Sequence, residues 1–182
     1  MKKEKKDKNE YILGYRNEAD RCYALAGMAI SLASLDALES VASVSIDYPG
    51  PMVRFTGEFY FGGSPSVSPK AAWHRIFEGY RLTSSLAIAN VMARCLMRDG
   101  GSDPSDMLDR VAETIRIEGS EECGLEEDEL DAFLSNTITR SRRIFANSRL
   151  ITPLEALARI IGERRELSGR SLAEEMHMLR II

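Results

Sequence analysis

The spacing of apolar residues along the chain predicts a mainly α-helical protein. Between residues 11 and 42, apolar side chains recur at steps of three and four, which predicts one long amphipathic helix. A second long helix is predicted over residues 69–98, where Ser68 suits the N-cap and Pro69 the first helical position. Both helices have centres rich in small residues, so we expect them to pack closely as an antiparallel pair.

Shorter helices are predicted in the rest of the chain. One is expected over about residues 103–117, closed by Gly119, and another over about residues 126–147. Two more are predicted to begin at capping boxes, residues 152–155 and 171–174. The predicted fold class is therefore mainly α, a bundle of five to six helices.

The region of about residues 43–62 interrupts this helical pattern with alternating apolar and polar positions. Pro49 and Pro51 flank Gly50 between two such runs, which predicts a short, rigid reversal. We therefore predict one β-hairpin between the first two long helices, with an aromatic face that covers their core. The second strand is predicted to place Val53, Phe55, Phe59 and Phe61 on one face and Arg54, Thr56, Glu58 and Tyr60 on the other.

Length and composition predict a single globular domain. The chain has 182 residues, of which 44% are hydrophobic and 29% charged, which is ordinary for such a domain. Residues 1–9 are nearly all charged and are predicted to form a flexible tail, which leaves residues 10–182 as the domain. Uncharged runs at residues 22–35 and 82–93 are shorter than the ~20 residues that cross a bilayer. No membrane partner is therefore expected.

The cysteines indicate the compartment. The chain has three, an odd number without paired spacing, and Cys22 and Cys95 lie within apolar helical runs. Such cysteines are typically reduced and buried. We therefore predict a cytoplasmic protein.

Charge is segregated along the second half of the chain. Residues 101–131 carry a net charge of −10, whereas residues 140–170 carry +5. One interpretation is that the two blocks follow the helix dipole and pair with each other at the surface. The alternative is a phosphate-binding surface in a nucleic-acid-binding accessory protein, formed by Arg140, Arg142, Arg143, Arg149, Arg164, Arg165 and Arg170.

A helix-turn-helix would be the natural frame for that alternative, with residues 167–170 as its turn. However, the second helix would begin with Glu174 and Glu175 close to its N-terminus, where they would repel the phosphate backbone. Nucleic acid is therefore possible as a partner but disfavoured.

The sequence has no recognisable catalytic or metal motif. The patterns CxxC, HExxH, GxGxxG, GxSxG and the P-loop do not occur, and the two histidines, His74 and His177, lie far apart. The Gly-rich residues 62–65 lack the Gly-Lys that would hold a phosphate. We therefore predict no cofactor and no metal. The absence of these motifs favours a non-enzymatic protein over an enzyme, and both interpretations stay open.

Polar residues near the hairpin form the candidate interaction site. Nearby aromatic residues are expected to form the core, and those left exposed would provide a partner-binding patch. The sequence thus favours a non-enzymatic protein-interaction or structural module that binds a protein partner or itself. The candidate residues are Arg54, Glu58, Tyr60, His74 and Arg75.

Overall fold

The computed structural model describes residues 14–57, 59, 68–99 and 104–182. This part of the chain contains six α-helices and a small antiparallel sheet that follows the first helix, so the predicted fold class is confirmed. The predicted tail, residues 1–9, lies outside the described residues. The helices are α1 (Glu18–Ser34), α2 (Pro69–Asp99), α3 (Ser105–Cys123), α4 (Glu127–Phe145), α5 (Ile151–Arg164) and α6 (Gly169–Met178), and the strands are β1 (Val41–Ser45), β2 (Val53–Phe55) and β3 (Glu166–Ser168).

The two long helices, α1 and α2, pack against each other as predicted. A Cβ atom on Gly27 would clash with the Cβ atom of Ala93 and would lie 2.9 Å from the carbonyl oxygen of Ala89. Asp20 lies near the start of α1 and binds Arg94, which lies near the end of α2, so the two helices run antiparallel. Small residues at the crossing therefore set the distance between the helices.

The first helix is shorter than predicted at both ends. It begins after Asn17, whose side chain accepts a hydrogen bond from the Asp20 backbone N–H at 2.9 Å. It ends at Ser34, and Asp36 then adopts a positive φ of 56°, which a helix cannot continue. Apolar residues beyond this point keep helical spacing, but they lie in a 3₁₀ turn and in β1.

The sheet contains the predicted hairpin and one strand that was not predicted. Its order is β2-β1-β3, and Val44 of β1 pairs with Val53 on one side and with Leu167 on the other. All three side chains are buried. The sheet thus joins the hairpin to the C-terminal part of the chain.

The second strand of the hairpin ends at Phe55, so the prediction that it continues to Phe61 is wrong. The Phe59 backbone N–H donates to the Thr56 carbonyl at 3.1 Å, which turns the chain out of the sheet. The Phe59 ring stacks on that of Phe55, with 4.3 Å between the ring centroids. Glu58, Tyr60 and Phe61 lie outside the described residues.

Helix α3 continues past its predicted end. Gly119 lies inside the helix, where a Cβ atom would clash with the Tyr80 hydroxyl and lie 2.5 Å from the Leu130 side chain. The helix ends instead at Cys123, and Gly124 follows as its C-cap with a φ of 65°. The glycine at position 119 therefore permits close packing and does not end the helix.

The last two helices begin before their predicted capping boxes. Helix α5 starts at Ile151, directly after a 3₁₀ turn, so Thr152 is not its N-cap. Helix α6 is capped by Ser168, whose hydroxyl accepts from the Ser171 backbone N–H at 3.1 Å. Ser171 thus lies in the first turn, and Glu174 forms an ion pair with Arg170 at 2.9 Å.

The helix-turn-helix that was considered for the nucleic-acid alternative, and disfavoured there, is not formed. The connection between α5 and α6 is strand β3, which pairs with β1 through the buried Leu167. Glu175 is buried and accepts from Arg164 at 2.6 Å, so it does not lie free at a groove-reading end. In a helix-turn-helix, a short turn joins the two helices, whereas here a strand of the sheet joins α5 to α6.

The three cysteines are buried, free thiols, as predicted for Cys22 and Cys95. None of the helices described is both long enough and apolar enough to span a membrane.

Candidate functional site

A cleft of about 790 Å³ opens between the start of α1, the turn that joins β1 to β2, and the facing sides of α2 and α3. We call it the hairpin cleft. Most of its wall is apolar, and its rim is the exposed turn of Pro49, Gly50 and Pro51. Three polar side chains, Tyr15, Arg21 and Asn90, are grouped at its α1 end. The main apolar residues of the wall are Met28, Met52, Val53, Phe55, Leu86, Val111 and Ile115.

A buried ion pair between α1 and α2 lies next to this polar group. Arg94 is 0% exposed and Asp20 is 2% exposed, and the Arg94 guanidinium donates to the Asp20 carboxylate at 2.7 Å. Burial alone would raise the pKa of Asp20. The hydrogen bonds from Arg94 and from the Arg16 backbone N–H, together with the nearby positive charges, lower this pKa by more than burial raises it. The pKa of Asp20 therefore lies below its usual value. Asp20 is therefore ionised and neutralises Arg94.

Tyr15 connects this ion pair to the hairpin cleft. Its hydroxyl accepts from the Asn90 side-chain amide at 3.0 Å, and its ring lies 4.7 Å from the Arg94 guanidinium. Burial raises the pKa of Tyr15, so the phenol stays protonated at neutral pH. Since Asn90 occupies an acceptor position of the oxygen, the Tyr15 proton remains available for donation.

Arg21 is the cation of the hairpin cleft. Its guanidinium lies 5.5 Å from the centroid of the Tyr15 ring, and the chain encloses its Nε atom. Within the described part of the chain, this Nε has no hydrogen-bond partner and Arg21 forms no ion pair. Asp20 is bound to Arg94 and Asp47 to Arg165, so the nearest acids are already engaged.

The turn at the rim is held in place by ion pairs. Asp47 accepts two hydrogen bonds from the Arg165 guanidinium, at 2.5 and 2.6 Å, and these bonds lower the pKa of Asp47. Arg165 also donates to Glu18 of α1 at 3.1 Å. The turn is thus connected to α1 and to the end of α5.

Tyr48 supports the same turn through hydrogen bonds to β1 and β3. Its hydroxyl donates to Glu166 at 2.5 Å, so the Ser43 hydroxyl, 2.7 Å away, is the donor to Tyr48. The Arg54 guanidinium lies 3.7 Å from the centroid of the Tyr48 ring. Arg54, predicted as an interaction residue, therefore packs against the sheet.

The structure does not gather the predicted interaction residues into one site. His74 and Arg75 are exposed in the first turns of α2, beside Trp73, which is 45% exposed. Neither they nor Arg54 line the hairpin cleft. Glu58 and Tyr60 lie outside the described residues.

The arginines of residues 140–170 are all exposed, but they have different partners. Arg164 pairs with Glu175, Arg165 with Glu18 and Asp47, and Arg170 with Glu174, all acids outside residues 101–131. Arg140 donates to the Ser34 carbonyl. In the described part of the chain, no ion pair is formed by Arg142, Arg143 or Arg149.

Tyr15, Arg21 and Asn90 were not among the site residues predicted from the sequence. A signal was present, because Asn90 and Arg94 interrupt the apolar stripe of α2 one helical turn apart. Polar residues on a buried helix face require partners, and these partners lie on and just before α1.

Residues 14–57, 59, 68–99 and 104–182 contain no group of three or more His, Cys, Asp or Glu side chains placed to hold a metal ion. The chain matches no protein-family model and has no significant similarity to any curated protein.

Proposed function

We propose that the protein is a non-enzymatic interaction module that holds a short segment of a partner protein in the hairpin cleft. The observation that carries this proposal is the lining of the cleft, a mainly apolar wall interrupted by polar side chains. Binding sites typically have this composition, since apolar contact provides the free energy of binding and the polar groups fix orientation.

The rim favours a protein segment as the occupant. The turn of Pro49, Gly50 and Pro51 is exposed, short and held by the Asp47–Arg165 ion pair. A rigid edge beside an apolar cleft allows a partner backbone to lie along the turn while its side chains enter the cleft. Little ordering of the module is then needed on binding.

A library of random peptides displayed on phage provides the test. Peptides are selected on the wild-type protein and then assayed on Thr83→Trp, which fills the cleft from an exposed position in its lining. Thr139→Trp, at an exposed position of α4, is the matched control. We expect enriched peptides to bind wild type and Thr139→Trp equally and to lose roughly tenfold or more in affinity for Thr83→Trp. Enrichment that is insensitive to Thr83→Trp, or no enrichment, contradicts the proposal.

Binding to a second copy of the chain is a related proposal. Trp73 and Ile76 lie one helical turn apart on α2 and are 45% and 49% exposed, which is the kind of apolar surface found in interfaces. Size-exclusion chromatography with light scattering tests it, and a strictly monomeric protein at all concentrations rejects it.

We also propose a cytoplasmic location, because three buried free thiols are compatible with a reducing compartment. Fractionation of cells that produce the protein tests this location.

Nucleic-acid binding is the second candidate function, supported by the exposed Arg142, Arg143 and Arg149, which form no ion pair within the described residues. If these arginines contact phosphates, the logarithm of the affinity for arbitrary duplex DNA falls linearly with the logarithm of the salt concentration, with a slope of about 0.9 per phosphate contact. Their triple substitution by Gln then lowers both affinity and slope. No binding at low salt rejects this candidate.

A further inference from the structure

We propose that Arg21 binds the carboxylate of an Asp or Glu side chain in the partner segment. This inference rests on the proposed function and names the chemistry of the occupant. It follows from the charges at the α1 end of the hairpin cleft and from the hydrogen-bond donors directed there.

The acids close to Arg21 already bind other arginines. Asp20 is bound to Arg94, and Asp47 and Glu18 both bind Arg165. Glu118 lies on the α3 side of the cleft near Tyr80. Arg21 forms no ion pair within the described part of the chain. The polar end of the cleft therefore carries a positive charge that an anionic ligand would neutralise.

The hydrogen-bond donors at the α1 end of the cleft are Arg21 and Tyr15. Arg21 lines the cleft, and its guanidinium donates no hydrogen bond to any acceptor among the described residues. The Tyr15 hydroxyl retains its proton, because Asn90 donates to its oxygen. A guanidinium and a neutral phenol together are donors only, and the matching ligand group is a strong acceptor with more than one oxygen.

The donors of the cleft suit a carboxylate side chain better than other anions. A chain-terminal carboxylate is typically held by consecutive backbone N–H groups, whereas the donors here are side chains. A phosphate group carries up to two charges and is usually bound by clustered arginines. Arg21 is one guanidinium, since Arg94 and Arg165 already bind Asp20 and Asp47. One available guanidinium matches one carboxylate.

Selection from the same peptide library tests the inference when the peptides are fused to the phage through their C-termini, so that side chains supply the only free carboxylates. We expect the pool selected on wild type to be enriched in Asp and Glu. We also expect these peptides to lose roughly tenfold or more in affinity for Arg21→Gln, because a charge-assisted hydrogen bond is removed. Tyr15→Phe, which removes only the hydroxyl, is expected to cause a smaller loss of the same kind.

A small probe provides an arm that is independent of any protein partner. Hydrocinnamate and its uncharged amide have the same apolar part and differ in the carboxylate. We expect hydrocinnamate, and not the amide, to shift the NMR signal of the Arg21 Nε–H group. Arg142→Gln is the matched control, because it removes an exposed arginine outside the cleft and should leave the hydrocinnamate-dependent shift of Arg21 unchanged.

The outcomes separate the two proposals. Cleft-dependent peptides without acidic enrichment, bound equally by wild type and Arg21→Gln, overturn the inference and leave the proposed function standing. A carboxylate-dependent shift of Arg21 without any enriched peptide supports the anion site and overturns the proposed function. If hydrocinnamate does not shift the Arg21 signal and the selected peptides are not enriched in Asp and Glu, the inference is overturned.

Discussion

Arg94 is completely enclosed, and its charge is balanced by several contacts that converge on the guanidinium. Asp20 accepts at 2.7 Å, the Gly14 carbonyl accepts at 2.8 Å, and the Tyr15 ring lies 4.7 Å away. A buried charge is tolerated only when it is paired and hydrogen-bonded in this way. The pair therefore fixes the position of Tyr15, and with it the polar end of the hairpin cleft.

We expect a double-mutant cycle on this pair to be strongly non-additive. Arg94→Met leaves the Asp20 carboxylate buried without its main partner, at a cost of about 3–5 kcal/mol in the free energy of unfolding. Asp20→Leu removes the carboxylate that neutralises Arg94 and leaves a buried positive charge. The double variant removes both charges and is expected to lose much less than the sum of the single losses. Urea unfolding measures all three, and additive losses would show that the two residues do not interact.

Tyr80 provides a pH-dependent contribution to stability. It is 4% exposed and donates to the Ile115 carbonyl at 3.0 Å, and burial raises its pKa from 10.0 to about 12. Because the folded state favours the protonated phenol, this stabilisation is complete below pH 10 and is lost as the pH rises toward 12. The loss corresponds to about 3 kcal/mol.

We therefore expect the free energy of unfolding of the wild type to fall more steeply between pH 10 and 12 than that of Tyr80→Phe. Urea unfolding at several pH values measures the two slopes. Parallel pH profiles would rule out Tyr80 as the group responsible.

At the scale of elements, strand β3 joins the C-terminal helices to the hairpin. It pairs with β1, and the residue that follows it, Gly169, lies so close to Val41 that a Cβ atom would clash with the Val41 carbonyl oxygen. That oxygen belongs to the backbone at the start of β1 and has little freedom to move. The first position of α6 therefore requires glycine because of this contact.

We expect Gly169→Ala to destabilise the protein by about 1–3 kcal/mol, as other overpacked sites do. Gly57→Ala is the matched control, because a Cβ atom there would meet nothing within 4 Å. Thermal unfolding of both variants is the measurement. Equal melting temperatures for wild type and Gly169→Ala would contradict the contact between α6 and β1.

Features with local signals could be predicted from the sequence. Ser68 and Pro69 predicted the start of α2, and the Pro-Gly-Pro turn predicted the hairpin. Strand β3 could not be predicted, because its three residues form a strand only by pairing with β1, more than a hundred residues earlier. Gly119 was misassigned because the residues that crowd it, Tyr80 and Leu130, come from two other helices.

The candidate site was hidden for the same reason. Tyr15 and Asn90 are separated by 75 residues in sequence and meet only because α1 and α2 pack together. The polarity of Asn90 could be recognised in an apolar stripe, but its partner could not. The residues near the hairpin that were predicted instead, such as Arg54 and His74, do not line the cleft.

At the scale of the whole molecule, the hairpin cleft and the exposed arginines of α4 and the following turn are separate candidate surfaces. The cleft is formed by α1, the hairpin turn, α2 and α3, whereas Arg142, Arg143 and Arg149 lie outside its lining. A partner that binds one surface is therefore distinguishable from a partner that binds the other.

The most direct test is to map where a selected peptide binds, using the backbone amide NMR spectrum of the wild-type protein. We predict that chemical-shift changes are largest at Tyr15, Arg21, Tyr48 and Asn90, on the walls of the hairpin cleft. Changes confined to residues 73–76 or 142–149, with the cleft unperturbed, would contradict the central claim.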